Sequence, residues 1–375
     1  MAIVLAGFSL FFVGSYILLG MLLLKHLHVP VPCRTFFEPT ISIIIAARNE
    51  EKNLPACLES LLQLDYPKEK MQIFVMDDDS EDATPQIASE FARRDCRIHY
   101  VKVLPHEKRL QGKAGVIEIG IQKSAGEIIF MTDADCRVSS QWIRGLLNFF
   151  APECGMVGGF TILYDPERKQ NVFENLQTLD LLFLLGVASS ASQMQKPLSW
   201  VGNNLAFRRI AFDQAGGYGL LRTSLVEDFH LINRIAKLSN WKIRFVPWKE
   251  SLVFSKAEKH LASFFYQRKR WATGFNGAPA FGKILIVAGF LSHLVLLIWF
   301  FHAFYVALFF FLCISLINFF ILSRLCAVFD RRDLIRHFPA YTLYFFFYLL
   351  TLPVLIMFDK RVRWKDRLYD TGMGR

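Results

Sequence analysis

Residues Ile284 to Ser323 form forty consecutive positions without a charged side chain. As one α-helix at 1.5 Å rise, such a run would be about 60 Å long, roughly twice the hydrocarbon thickness of a bilayer. It therefore reads as two spanning helices joined by a tight turn, expected near His302. Two further apolar runs flank the charged middle of the chain. Ala2–Leu24 carries no charge and is long enough to cross a bilayer, and Phe338–Phe358 is similar, with Pro339 near its start and Pro353 inside it. Buried core helices are the competing reading, and the length and Phe/Leu content of the runs argue against it. A cleaved secretory leader starts basic and has a shorter apolar run. Here the first charge, Lys25, follows the run, so an uncleaved anchor is expected.

The chain is 53% hydrophobic and has seven cysteines, none in a CxxC spacing, so disorder, a disulfide scaffold and a structural zinc site are all disfavoured. Net charge is +10, yet residues 41–283 hold 31 Lys+Arg against 27 Asp+Glu, so most of the excess flanks the apolar runs. That distribution suits cytoplasmic loops beside anionic lipid heads. It does not suit a nucleic-acid groove, which would cluster charge on the folded domain, and no nucleic-acid partner is expected. Lys25 and Arg34 place the middle of the chain on the cytoplasmic side. Three full spans after it would carry Arg361, Arg363, Lys365 and Arg367 to the opposite side, against the same tendency, unless one of the three is re-entrant or interfacial. The expected organisation is an anchor (1–25), a linker (26–40), an α/β domain with interfacial helices (41–283), transmembrane or re-entrant helices (284–358) and a basic tail (359–375).

Within 41–283 the pattern alternates. Ile41–Ala47 is a short β-branched apolar run, as for a strand covered on both faces. Asn53–Leu64 has helical spacing. Gln72–Met76, Ile98–Val103 and Ile128–Met131 read as further strands, and Asp82 with Pro85 marks a helix start before Ile87–Ala92. Strand starts near 41, 72, 98 and 128 recur at about one βαβ unit, which implies a mostly parallel sheet with helices on both faces. Ligands of such sheets bind beyond the carboxyl ends of strands.

Those ends are acidic. Asp77, Asp78, Asp79, Ser80, Glu81 and Asp82 follow the second strand, and Thr132, Asp133, Ala134 and Asp135 follow the fourth. Carboxylates this dense repel one another and call for a counter-charge, for which a divalent cation with oxygen ligands is suited. Mg2+ or Mn2+ held there would bridge to phosphate oxygens. Solvated acidic turns with N-caps are the bland alternative, weakened by finding both clusters in one alternating domain.

Ile43–Glu51 (IIIAARNEE), Val75–Thr84 (VMDDDSEDAT), Gly112–Ala114 (GKA), Thr132–Asp135 (TDAD), Val226–Asp228 (VED) and Gln267–Trp271 (QRKRW) together resemble the ordered motifs of family-2 glycosyltransferases with a GT-A fold. The resemblance covers roughly residues 40–275. It implies a GT-A domain, a Rossmann-like α/β sheet carried by transmembrane helices. By resemblance, Asp77 and Asp78 hold the uracil and ribose of a UDP-sugar, Arg48 and Glu50 border the nucleotide, and Lys113 lies near the diphosphate. Asp133 and Asp135 match the metal-binding Asp-x-Asp, with Asp135 the expected direct ligand. Asp228 matches the catalytic base, supported by Glu227. Gln267, Arg270 and Trp271 match the Gln-x-x-Arg-Trp box that lies against diphosphate and acceptor. The box is similar to that of ceramide glucosyltransferases. Two departures stand out: Asp79 where a glycine is common, and Ile117-Glu118 in place of Leu-Asn. They bear on donor recognition, since neither removes a charged group the chemistry needs.

The implied reaction agrees with the residue chemistry. Breaking a bond to a diphosphate develops negative charge, which a metal and a cation such as Arg270 stabilise. A hydroxyl acceptor needs a carboxylate to take its proton. One base and one displacement give inversion, unlike the paired-carboxylate double displacement. Three or four helices are few for a polymer channel, so a single transfer to a lipid hydroxyl is expected, at a bacterial inner membrane with the catalytic domain cytoplasmic. A polysaccharide synthase subunit and a non-catalytic nucleotide-sugar-binding protein are the alternatives, and the oligomeric state stays open. Val172–Leu185 reads either as an interfacial acceptor entrance or as core. Trp200–Asn204 and Gly216–Tyr218 resemble acceptor-side segments or plain turns. Cys136 reads as packing and His230 as a neighbour of the base. Arg268 and Lys269 are expected to face lipid.

Overall fold

In the computed structural model, which describes residues 2–33, 37–110, 112–198, 202–219, 227–238, 240–272, 277–358, 361–364 and 367–370, the chain opens with helix α1 (Ala2–His26). The alternating part follows as β1 (Ile41–Ala47), α2 (Leu54–Leu62), β2 (Met71–Asp77), α3 (Thr84–Arg94), β3 (Ile98–Lys102), α4 (Lys113–Lys123) and β4 (Ile128–Asp133). Next come β5 (Arg137–Val138), α5 (Trp142–Leu147), β6 (Cys154–Gly158), β7 (Thr161–Leu163), α6 (Val172–Gln193), β8 (Leu205–Arg208), α7 (Arg209–Gln214), α8 (Glu227–Leu238), β9 (Lys242–Phe245) and β10 (Val253–Ser255). The chain ends in α9 (Leu261–Ala272), α10 (Ala280–His302), α11 (Phe304–Val328), α12 (Phe338–Phe358) and a hairpin of β11 (Arg361–Trp364) and β12 (Arg367–Asp370). Val29–Lys169 and Ser199–Ala257 form the bulk of one compact unit; Met1–His28, Gln170–Leu198 and Glu258–Gly372 form another.

The first is a sheet unit of GT-A type. Its main sheet runs β3-β2-β1-β4-β8-β6-β9. β3, β2, β1 and β4 are mutually parallel, as their β-branched runs imply, and β8 enters antiparallel to both β4 and β6. Ile43, Ile44, Ile45, Val75, Met76, Ile128 and Ile129 are all at most 1% exposed, so neighbouring residues that point to opposite faces are both buried, as a strand covered on both faces requires. Sequence order leaves β1 toward β2 and β3, then returns to its other side with β4. The crevice at the carboxyl end of β1 is therefore the topological switch point, where such sheets bind ligands. Arg209 fastens the antiparallel insert: its guanidinium donates to the carbonyls of Gly126, Ile121 and Ser124, each at 2.9 Å, around the end of α4. A smaller sheet, β5-β10-β7, is made of strands too short to stand without tertiary pairing.

The helical unit contains the apolar runs. Among the described residues five helices are long and apolar enough to cross a membrane: Ala6–His26, Val172–Gln193, Ala280–His302, Phe304–Val328 and Arg332–Leu355. The forty-residue run does divide in two, with Ala303 extended (φ −157°, ψ 91°) between α10 and α11. Polar side chains join these helices, through Tyr16 Oη donating to Asn318 Oδ1 at 2.8 Å and Trp299 Nε1 to Ser9 Oγ at 2.7 Å. α6 resolves toward the core reading: Glu174, Asn175, Gln177, Thr178 and Asp180 on its polar side are all buried within this unit.

Candidate active site

β1 is flanked by β2 and β4 with Ala47 opposite Asp77 and Ala46 opposite Asp133. The two acids thus stand at one sheet edge on either side of the switch point, about 10 Å apart by strand spacing. Arg48, Asn49 and Glu50 continue from β1 into the gap. Two residues past β1 and two past β2 the backbone enters the left-handed region, Asn49 at φ 51° and Asp79 at φ 55°. Asn and Asp tolerate that region better than most residues, and glycine enters it freely, which explains physically why glycine is the common residue at the Asp79 position.

The β2 acids are internally compensated. Asp77 is fully buried, accepting from the Ser80 backbone N–H through Oδ1 and from Tyr100 Oη through Oδ2, both at 3.0 Å. Burial, and then the Asp77 carboxylate, push the Tyr100 phenol well above its ordinary value, so it stays a donor at alkaline pH. Asp78 is ion-paired to Lys108, with both side chains nearly inaccessible, and its carbonyl accepts from Arg48 Nη1 at 2.7 Å. Glu50 is 8% exposed and takes the Asn53 amide on Oε2 at 2.9 Å. The clusters therefore carry their own cations: Lys108 for Asp78, Lys102 for Asp79 and Lys113 for Asp133. Lys113 Nζ lies 2.5 Å from Asp133 Oδ1. Lys108 was missed by motif reading, because no spacing rule links it to Asp78 thirty residues earlier. Breaking a buried pair leaves an uncompensated charge. Lys108→Met should destabilise the protein by about 3–5 kcal/mol, and an unchanged midpoint in thermal or urea unfolding would refute that.

The β4 acids connect to Asp228 through the segment before β8. Cys136 Sγ approaches Asp135 Oδ1 at 3.5 Å and accepts from Asn203 Nδ2 at 3.3 Å, and Asn203 Oδ1 accepts from Thr161 Oγ1 at 2.7 Å. Burial, then Asp135 and Asp133, push the Cys136 thiol well up, so it is an inert packed donor rather than a nucleophile. Gly202 abuts Asp228: a Cβ built on it would fall 2.7 Å from Asp228 Cβ and 2.8 Å from Oδ2. Because Leu205 pairs with Met131, the residues before β8 lie at the same carboxyl edge as Asp133, and Asp228 with them. Asp228 is the second residue of α8, with Oδ1 accepting from the Phe229 N–H at 2.8 Å, where the helix N-terminus favours an anion. Val226, Trp200 and Val201 lie outside the described residues, as does the side chain of Glu227. His230 follows on α8, where its ring meets that of Phe229 edge-on at 5.7 Å.

The Gln-x-x-Arg-Trp box lies on α9, in the helical unit. Gln267 Nε2 donates to Glu258 Oε1 at 3.3 Å. The expectation that Arg268 and Lys269 face lipid is overturned: they are 1% and 7% exposed, and Arg268 Nη2 pairs with Asp180 Oδ2 at 2.7 Å. A basic cluster beside apolar runs suggests a lipid-headgroup belt, but a buried acid elsewhere in the chain pairs with Arg268.

Asp133 and Asp135 are partly exposed hard-oxygen donors of the kind Mg2+ or Mn2+ takes. Among the described residues no group of three or more His, Cys, Asp or Glu converges to cage an ion. Mg2+ is commonly held by one or two carboxylates plus substrate phosphates and water. The donor set fits an ion that arrives with a diphosphate.

A switch-point edge lined with carboxylates, in a chain that also carries helices of spanning length, defines a membrane-associated transferase of GT-A fold. The family described as Glycosyl transferase family 2 matches residues 42–228, and the chain belongs to it. It is 29% identical over 245 residues to the beta-monoglucosyldiacylglycerol synthase of Trichormus variabilis, covering 63% of this chain and 49% of that protein. It is 28% identical over 241 residues to a probable glycosyltransferase of Bacillus subtilis, covering 63% and 55% respectively. The chain thus spans about half the length of these curated relatives. In structure it is similar to a Pyrobaculum calidifontis mannosyltransferase solved with GDP-Man and Mn2+, at TM-score 0.58 and 17% identity over 91% of this chain and 98% of that one.

Proposed function

We propose that the protein is an inverting glycosyltransferase that moves a sugar from a nucleotide-sugar donor, a UDP-sugar, to a hydroxyl of a lipid acceptor at the cytoplasmic membrane face. The observation that carries this reading is the gathering of Asp77, Asp133 and Asp228 at one sheet edge around the switch point, with Asp228 held there against Gly202. The similarity to a diacylglycerol glucosylating enzyme and the spanning helices support the lipid acceptor, with glucose as the first donor sugar to try.

In this reading Asp77 and Asp78 take the uracil and ribose, with Arg48 and Glu50 beside them. Their existing partners, Tyr100 and Lys108, hold both carboxylates in place. Asp135 and Asp133 would hold a divalent ion, which would supply counter-charge to the diphosphate. Lys113, already beside Asp133, supplies a further cation, and Arg270, Gln267 and Trp271 serve diphosphate and acceptor. Asp228 takes the acceptor proton as the hydroxyl oxygen attacks the anomeric carbon and the bond to the diphosphate breaks. The electron pair leaves on the diphosphate, and the sugar inverts.

Membranes containing the protein, incubated with labelled UDP-sugars and extracted, test the reading. Label in a small glycolipid is the expected result. Label in insoluble polymer indicates a polysaccharide synthase subunit, and nucleotide binding without transfer of any sugar indicates a non-catalytic nucleotide-sugar-binding protein. Asp135→Ala should weaken metal-dependent UDP binding at least about tenfold, the scale on which changes around a metal site are felt. Titration with unchanged metal dependence would put the ion elsewhere.

A further inference from the structure

Helix α6 is an apolar helix whose fully buried polar residues include Gln177 and Asp180, on one face three positions apart. Asp180 reaches the Gln-x-x-Arg-Trp box directly, and Gln177 reaches it through Glu258. Gln177 clamps the backbone of Glu258 at two points: its Nε2 donates to the Glu258 carbonyl at 2.9 Å and its Oε1 accepts the Glu258 N–H at 3.0 Å. The Glu258 side chain in turn accepts from Gln267. Asp180 pairs with Arg268, both side chains at 0% exposure. The Arg268 guanidinium lies 4.2 Å from the Trp271 ring centroid and 4.9 Å from that of Phe264. Neighbouring box residues 267 and 268 are thus tied, one through Glu258 and one directly, to residues one turn apart on α6.

A buried ion pair is weak evidence for stability, since apolar residues of similar volume often serve as well. What the pair supplies here is orientation. A planar guanidinium paired with a carboxylate and set between two rings makes a flat, charged platform for an indole. We propose that α6 is the template of the box: Asp180, through Arg268, and Gln177, through Glu258, are positioning residues that hold the Trp271 indole and the Gln267 amide for the transfer step. This rests on the function proposed above, in which the box serves diphosphate and acceptor.

The test uses the full chain in detergent or native membranes. In D180L/R268L the charges are removed together, so the thermal midpoint should stay near that of the wild type while kcat falls by about 10²-fold, the scale of a misplaced catalytic group. R268K keeps the charge and loses the planar stack, and should show the same direction of loss with an intact fold. Acrylamide quenching of Trp271, read as the difference between each protein and its W271F counterpart, should rise severalfold in both variants. Wild-type kcat together with wild-type quenching in a folded D180L/R268L or R268K protein would overturn the template. If the wild type transfers no sugar to any acceptor, the proposed function fails, and the quenching comparison still decides whether Arg268 sets the indole.

Discussion

Asp228→Asn should lower kcat by about 10²–10⁴-fold, the range a positioned general base contributes. The substitution is nearly isosteric. An amide oxygen at position 228 still accepts from the Phe229 N–H that Oδ1 holds at 2.8 Å, so α8 keeps its first turn. What is lost is the capacity to take a proton. UDP binding in the presence of Mn2+ should therefore stay within about threefold of the wild type, far from the tenfold steps that 1.4 kcal/mol represents. Parallel loss of binding and turnover, measured by calorimetry beside a radiolabel assay, would show that Asp228 holds the nucleotide rather than acting on the acceptor.

Gly202→Ala comes second in expected effect and follows from geometry alone. The added methyl would fall 2.7 Å from Asp228 Cβ and 2.8 Å from its Oδ2, closer than real Cβ atoms approach. Either the carboxylate or the loop before β8 must move, and a displacement near 1 Å costs about 10²-fold in rate when a catalytic group is held for attack. Donor binding and the unfolding midpoint should change little. Because both substitutions act on one group, their effects should not add: Gly202→Ala in an Asp228→Asn background should cost less than about threefold more, since coupled residues depart strongly from additivity. A full hundredfold further loss there would locate the damage somewhere other than the base.

The parallel half of the sheet was legible because its strands are self-declaring. Ile41–Ala47 and Ile128–Asp133 are apolar runs covered on both faces, and no helix-period reading suits them. The break between α10 and α11 was legible from length against bilayer thickness. The antiparallel insert was not: β8 is four residues, Leu205–Arg208, and its place between β4 and β6 is fixed by partners 47 to 80 positions away. The strands of the small sheet, two or three residues long, carry no periodicity to read. At the site, the acids after the strands were visible and Lys113 was named by its motif, but Lys108 was not, since it meets Asp78 only through the loop after β3. Arg268 is the instructive failure. Local composition pointed to a headgroup belt, while its partner Asp180 lies 88 positions earlier on a helix whose apolar character hid an interior acid.

The alternation of segments between the two units has a consequence for biogenesis. The helical unit draws on three stretches of sequence, and the last begins at Glu258, after the sheet unit's main sheet has been fully synthesised. On the ribosome, α6 must therefore wait, with Asp180 unsatisfied, until α9 emerges some eighty residues later. A fragment ending before Glu258 would leave Asp180 without its Arg268 partner on a helix of spanning length.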